Sequence, residues 1–167
     1  VINERGRINA ENTKSWDKVI GVIYLVLMLG GLAVAGLDAR LGWSQVPLGL
    51  KVLGGVAVTV CMGLIFWVMT ANTFLSSMVR IQDDRGHTTI TSGPYRYVRH
   101  PMYAGMLLMF WGIPLLLGSW WGLLLGVLTM ILYIVRTALE DKTLQKELPG
   151  YIEYTRQTRY RLIPGIW

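Results

Sequence analysis

From Pro101 to Val135 the chain runs for 35 residues without a formal charge. A helix built from such a stretch has no charged face to turn toward water, so it is buried on all sides or surrounded by lipid. As one straight helix it would be about 52 Å long at ~1.5 Å per residue, well beyond the ~30 Å hydrocarbon core of a bilayer. Pro114 and the Gly118-Ser119 pair interrupt it, which predicts a tight hairpin of two spans, 101–117 and 120–136. Trp120 and Trp121 sit at the hairpin turn, where indole rings suit the membrane–water boundary.

Two further uncharged runs precede the hairpin, 19–37 and 52–71. Each is long enough to cross a bilayer as a helix. The composition agrees, with 53% hydrophobic and 16% charged residues in 167. The expected fold class is all-α: a polytopic membrane protein with four transmembrane helices, one domain over residues 1–167. A secretory signal is the competing reading of the first run, since Ala33-Val34-Ala35 resembles a cleavage site. The polar head before it carries Glu4, Glu11 and Asp17, which is unlike a signal head.

Lysine and arginine placement orients the spans. Of the 16 basic residues, only Arg40 and Lys51 fall on the side of the first loop and the hairpin turn. The rest lie in the N-terminal tail, the central loop 72–100 and the tail from Arg136. The positive-inside rule then places both termini and the central loop in the cytoplasm. This accounts for the net charge of +6 without nucleic acid as a partner. One cysteine, Cys61, and two histidines thirteen positions apart exclude an intramolecular disulfide and a zinc cluster built from those residues. Neither a Gly-x-Gly-x-x-Gly nor a P-loop pattern occurs, so no Rossmann or nucleoside-triphosphate site is indicated.

The chemistry concentrates where the central loop meets the hairpin. Gly93-Pro94-Tyr95-Arg96-Tyr97-Val98-Arg99-His100-Pro101-Met102-Tyr103-Ala104-Gly105 places arginines, a histidine and tyrosines at the edge of hydrocarbon, where an unpartnered polar group is costly. The preceding Thr88–Thr91 suggests a short extended piece, and Ser92-Gly93-Pro94 a turn. Beyond the last span the helical pattern continues through Arg136 and Glu140, four apart on one face, to a stop at Pro149-Gly150. The topology brings His87, Tyr95, His100 and Tyr103 to the same side as Arg136 and Glu140. The plainer readings are a helix ion pair for Arg136 with Glu140, a helix cap for His100 and interfacial anchoring for the tyrosines. Ser15 is positioned to cap the first helix, and Gly122 with Gly126 to let two helices approach closely.

Gly93-Pro94-Tyr95 followed by Arg99-His100-Pro101-Met102-Tyr103-Ala104-Gly105 resembles the signature of the isoprenylcysteine carboxyl methyltransferase family, integral-membrane enzymes related to the phospholipid N-methyltransferases. Arg136, Glu140-Asp141, Gly150, Tyr151 and Tyr154, with Arg159 and Pro164 beyond, are similar to the family's second block. The likeness spans about residues 80–165. It implies S-adenosylmethionine as cofactor, with contacts at His87, at the backbone of Thr88, Thr89 and Ile90, and at Tyr95, His100, Pro101, Met102, Tyr103 and Glu140. Gln82 corresponds to a family glutamine, at a shorter spacing, and Asp141 to the family's second acid. Arg136 is implied as the contact to the methyl acceptor, a lipophilic or lipidated molecule entering from the bilayer.

Methyl transfer from a sulfonium is an in-line displacement at carbon. An ionised carboxylate acceptor needs no strong base, so alignment and exclusion of water are the main requirements. A phospholipid amine or a small thiol is the alternative acceptor, and an amine must first lose a proton. A non-catalytic membrane scaffold or lipid-binding protein is the alternative of a different class.

Overall fold

The computed structural model describes residues 13–82 and 85–167. Arg5 and Arg7 of the tail, Glu4 and Glu11, and the Asp83-Asp84 pair of the central loop lie outside the described residues. The described chain forms α1 (Ser15–Leu41), α2 (Leu48–Ala71), α3 (Pro101–Leu117), α4 (Trp120–Glu147) and α5 (Tyr151–Gln157), with a 3₁₀ turn at Gly93–Arg96. Three of these, α1, α2 and α4, are long and apolar enough to cross a membrane. The fourth apolar helix, α3, has 17 residues, about 25 Å at ~1.5 Å per residue. It is shorter than the others because Pro101 opens it at the first turn and Gly118, at φ 79°, ends it in the left-handed region.

The helices extend past the apolar runs that announce them. α1 begins with Ser15 already inside the helix, and Lys14 occupies the cap position without a side-chain hydrogen bond. The expected serine cap is therefore absent. His100 also sits at a cap position without capping through its ring. The cap that does form is Ser119, whose Oγ accepts from the Gly122 N–H at 2.8 Å and starts α4 immediately after the hairpin turn. α4 then runs unbroken for 28 residues. Its last turns, beyond Val135, carry charge out of the apolar zone until Pro149 excludes further helix. No strand forms at Thr88–Thr91; the segment is irregular, and the Thr89 Oγ1 donates to the Pro149 carbonyl at 3.1 Å.

α2 packs on α3, α3 on α4, and α4 on α1, which also touches α3. Two glycine crossings set these distances. At Gly54 a Cβ would stand 2.7 Å from the Leu116 nitrogen and close to the Gly112 carbonyl, so the α2 and α3 backbones nearly touch. At Gly126 a Cβ would collide with the Phe110 carbonyl, while Gly122 faces Ala35 of α1. The paired glycines of α4 therefore serve two neighbours. Large apolar side chains such as Val22, Val26, Val56, Phe66 and Leu124 point outward, more than half exposed. That is the surface a lipid-embedded bundle requires.

At one end of this bundle lie the start of α1, the end of α2, the start of α3, the charged end of α4 and α5. The loop 72–100 crosses that end, and the candidate site is built there.

Candidate functional site

The site has one carboxylate open to a cavity and a second, its sequence neighbour, sealed beneath it. Asp141 has no solvent exposure. Arg99 grips it with two parallel hydrogen bonds, Nε to Oδ1 at 2.8 Å and a terminal nitrogen to Oδ2 at 3.1 Å. The Arg161 Nε donates to Oδ2 at 2.8 Å, the Gln145 amide at 2.8 Å and the Tyr151 hydroxyl to Oδ1 at 3.0 Å. The His100 Nε2 stands 3.4 Å from Oδ1. Burial pushes the Asp141 carboxyl up, but the hydrogen bonds from His100, Arg99 and Arg161 outweigh it and hold the group well below the ordinary carboxylate range. The Tyr151 hydroxyl is raised, first by burial and then by the negative charge of Asp141 beside it.

Glu140, one residue earlier, points the other way. It accepts from the Tyr103 hydroxyl at 2.6 Å, and its Oε1 is 3.9 Å from the His100 Nδ1. The His100 and Tyr103 rings lie parallel, with centroids 5.8 Å apart. The Glu140 side chain keeps 20% exposure, which opens into the cavity. Pro101 fixes the first turn of α3 so that His100 and Tyr103 project from consecutive turns toward α4.

The cavity is open at its mouth, and its empty space, open solvent included, is about 770 Å³. His87, Thr88, Thr89, Ile90, Tyr95, His100, Pro101, Met102, Tyr103 and Glu140 all line it. Tyr95 is fixed from both ends: its hydroxyl accepts from the Asn72 amide at 2.7 Å, and its carbonyl accepts from the Tyr154 hydroxyl at 2.7 Å. The His87 ring lies against Phe74, centroids 4.8 Å apart.

Two residues expected at the site do not line the cavity. Gln82 is buried and braces the loop instead: its amide donates to the Phe74 carbonyl, and its carbonyl oxygen accepts from Arg85 at 2.6 Å. Arg136 is turned away by Asp17 of α1, which takes its Nε at 2.7 Å and a terminal nitrogen at 3.1 Å. The same terminal nitrogen donates to the Ser77 carbonyl at 2.8 Å. The Arg136 guanidinium lies 5.3 Å from the centre of the Tyr103 ring, whose hydroxyl is the donor to Glu140. Arg136 and Glu140 share a helix face, yet among the described residues each is paired elsewhere.

Sequence reasoning missed the segment 72–80, which supplies Asn72, Phe74, Leu75, Ser76, Met78, Val79 and Arg80 to the cavity wall. It lacks any periodicity that would mark it. Asp17 did leave a signal: an acid two residues before an apolar run requires a partner at the lipid boundary. Besides Arg136, it accepts from the Val79 N–H at 2.7 Å and so ties α1 to the cavity wall.

The fold and site together define a polytopic α-helical membrane protein with a polar, aromatic-walled cavity at one end of its bundle. A family model for phospholipid methyltransferases matches residues 50–149, and the chain belongs to that family. Methyltransferases of this family use S-adenosylmethionine. No curated protein matches the chain. The matched region includes nearly all of α2, the loop, α3 and all of α4, but neither α1 with Asp17 nor the tail with Arg161.

Proposed function

We propose that this methyltransferase uses S-adenosylmethionine to methylate a lipophilic acceptor at the cytoplasmic face of a membrane, with both termini on that side. The observation that carries the reading is the shared opening of Glu140, His100 and Tyr103 into one cavity. The residues present suit a cationic, flat cofactor. Glu140 is the one carboxylate lining the cavity among the described residues, and aromatic rings and methionines form much of the rest. Glu140 would balance positive charge, the irregular His87–Ile90 backbone would offer its amides and carbonyls, and Tyr95 and Tyr103 would bound the ring faces. The cofactor supplies an electrophilic methyl group on a sulfonium. The chain contributes orientation, a water-poor wall and charge balance.

The acceptor in this reading is the carboxylate of an isoprenylcysteine-type amphiphile, as the two sequence blocks around Arg99-His100-Pro101 and Glu140-Asp141 suggest. Arg136 would act on it as a nearby cation beside the Tyr103 ring, and a direct grip would require Asp17 to yield its place. One observation favours a second reading, a phospholipid amine. Asp17 already neutralises Arg136, and Glu140, with the Tyr103 hydroxyl on it, is the carboxylate at the cavity that could draw a proton from an amine.

The test is purified protein with methyl-labelled S-adenosylmethionine and three acceptor sets: prenylcysteines, aminophospholipids and small thiols. Label on the prenylcysteine carboxylate supports the first reading, and label confined to an amine selects the second. Cofactor binding without label on any acceptor fits a scaffold. Absence of cofactor binding overturns the cofactor assignment itself.

A further inference from the structure

The chain beyond α5 does not trail away from the site. Residues 158–167 fold back across the start of α3. The backbone N–H groups of Arg99 and His100 donate to the carbonyls of Tyr160 and Arg161, both at 2.9 Å. The Arg99 side chain donates to the carbonyls of Thr158 and Arg159 at 2.9 and 2.8 Å. The end of the segment closes on itself: the Arg161, Leu162 and Ile163 N–H groups all donate to the Trp167 carbonyl, at 2.9, 3.0 and 3.3 Å. Its side chains are tied in as well. Leu162 is buried with Tyr103, Leu107, Phe110 and Tyr133, and the Arg161 guanidinium lies 4.9 Å from the centre of the Trp167 ring.

Asp141 is the point where a side chain of this strap meets the groups behind the cavity wall. Its Oδ1 faces His100, Tyr151 and the Arg99 Nε, and its Oδ2 is held by Arg161, Gln145 and a terminal nitrogen of Arg99. Arg99 and Gln145 share the hold on this carboxylate with Arg161, whose Nε bond to Oδ2 comes from the strap and adds to the restraint on the group that His100 leans on. The Arg161 carbonyl at the same time holds the His100 backbone N–H.

We propose that Arg161 is a positioning residue for His100, and that the C-terminal strap, which lies outside the family-matched region 50–149, braces the site from behind its wall. Arg161 touches neither cavity nor ligand; it acts through Asp141. The inference about His100 geometry stands on the structure alone, whereas its consequence for cofactor affinity rests on the reading proposed above.

The test compares full-length protein in lipid nanodiscs as wild type, Arg161→Met, Arg161→Lys and Gly54→Ala. Gly54 lies at the opposite end of the bundle, so its variant serves as a control for lost stability alone. The first measurement needs no cofactor: the ring-nitrogen NMR shifts of His100 with labelled histidine. Arg161→Met is expected to move them, Arg161→Lys to return them most of the way, and Gly54→Ala to leave them in place. The second is equilibrium binding of S-adenosylmethionine, expected to weaken about tenfold or more in Arg161→Met, the scale on which small misplacements act. Unmoved His100 shifts in Arg161→Met overturn the proposal. So do shifts that Gly54→Ala reproduces at an equal loss of melting temperature. A wild type that binds no cofactor overturns the cofactor reading instead, and the histidine shifts still decide this one.

Discussion

The Tyr103 hydroxyl donates to the Glu140 carboxylate at 2.6 Å, joining the first turn of α3 to the charged end of α4 across the cavity wall. This bond links the two sequence blocks that sit 37 residues apart. Charge-assisted bonds of this length hold geometry better than neutral ones. Glu140→Gln is expected to keep the hydrogen-bonding shape and lose the charge. Its affinity for S-adenosylmethionine should fall about tenfold, near 1.4 kcal/mol, with little change in melting temperature. Calorimetric titration checks this, and wild-type affinity would remove Glu140 from the cofactor's charge balance.

The Asp17–Arg136 pair makes a separate prediction. Both groups are buried, and removing one partner of such a pair typically costs about 3–5 kcal/mol. Asp17→Asn should therefore lower stability sharply and loosen Val79 and the cavity wall with it. Asp17→Asn with Arg136→Gln, which removes both charges, should recover part of the loss. Thermal unfolding of the single and double variants in detergent reads the coupling. Additive losses would mean that the pair contributes nothing beyond its separate members.

How far the sequence announced this arrangement differs by residue. The apolar runs of α1, α2 and α4 were legible because a bilayer demands length without charge, and few other constraints leave so plain a trace. That His100 and Glu140 would share one end was legible from topology, since an even number of crossings returns the chain to its starting side. The partner of Arg136 was not. Arg136 and Glu140 are four apart on a helix, and local spacing alone pairs them; the tertiary packing of α1 against α4 brings Asp17 closer. Asp141 shows the same limit. Its shorter side chain said little in sequence, yet five side chains from the loop, α4, α5 and the tail converge on it in space. Contacts fixed by helix packing do not appear as periodicity.

Asp141 also sets an acid limit. Its carboxyl is held well below the ordinary range in the fold, whereas in the unfolded chain it titrates at about 3.9. A depressed folded value means that the stabilisation is complete above the unfolded value and declines as pH falls toward the folded one. Asp141→Asn should be less stable than wild type at neutral pH. The gap between the two should stay constant down to about pH 4 and narrow below it. Melting temperatures between pH 7 and pH 3 test the sign; a gap that widens with acidity contradicts it.

The α2–α3 crossing yields the last prediction, and it concerns the membrane part alone. At Gly54 the backbones of α2 and α3 approach so closely that a Cβ would lie 2.7 Å from the Leu116 nitrogen. Neither backbone is the flexible end of a side chain, so the helices must separate to admit one. Gly54→Ala should cost stability of about 1–3 kcal/mol, as over-packing generally does, and Gly54→Leu should cost more. Gly63 on the same helix has open space around it, so Gly63→Ala should be neutral or slightly stabilising, because alanine favours helix by about 1 kcal/mol over glycine. Unfolding midpoints of the three variants in one detergent settle the order. Equal midpoints for Gly54→Ala and Gly63→Ala would mean that α2 and α3 do not meet as closely as their backbones indicate.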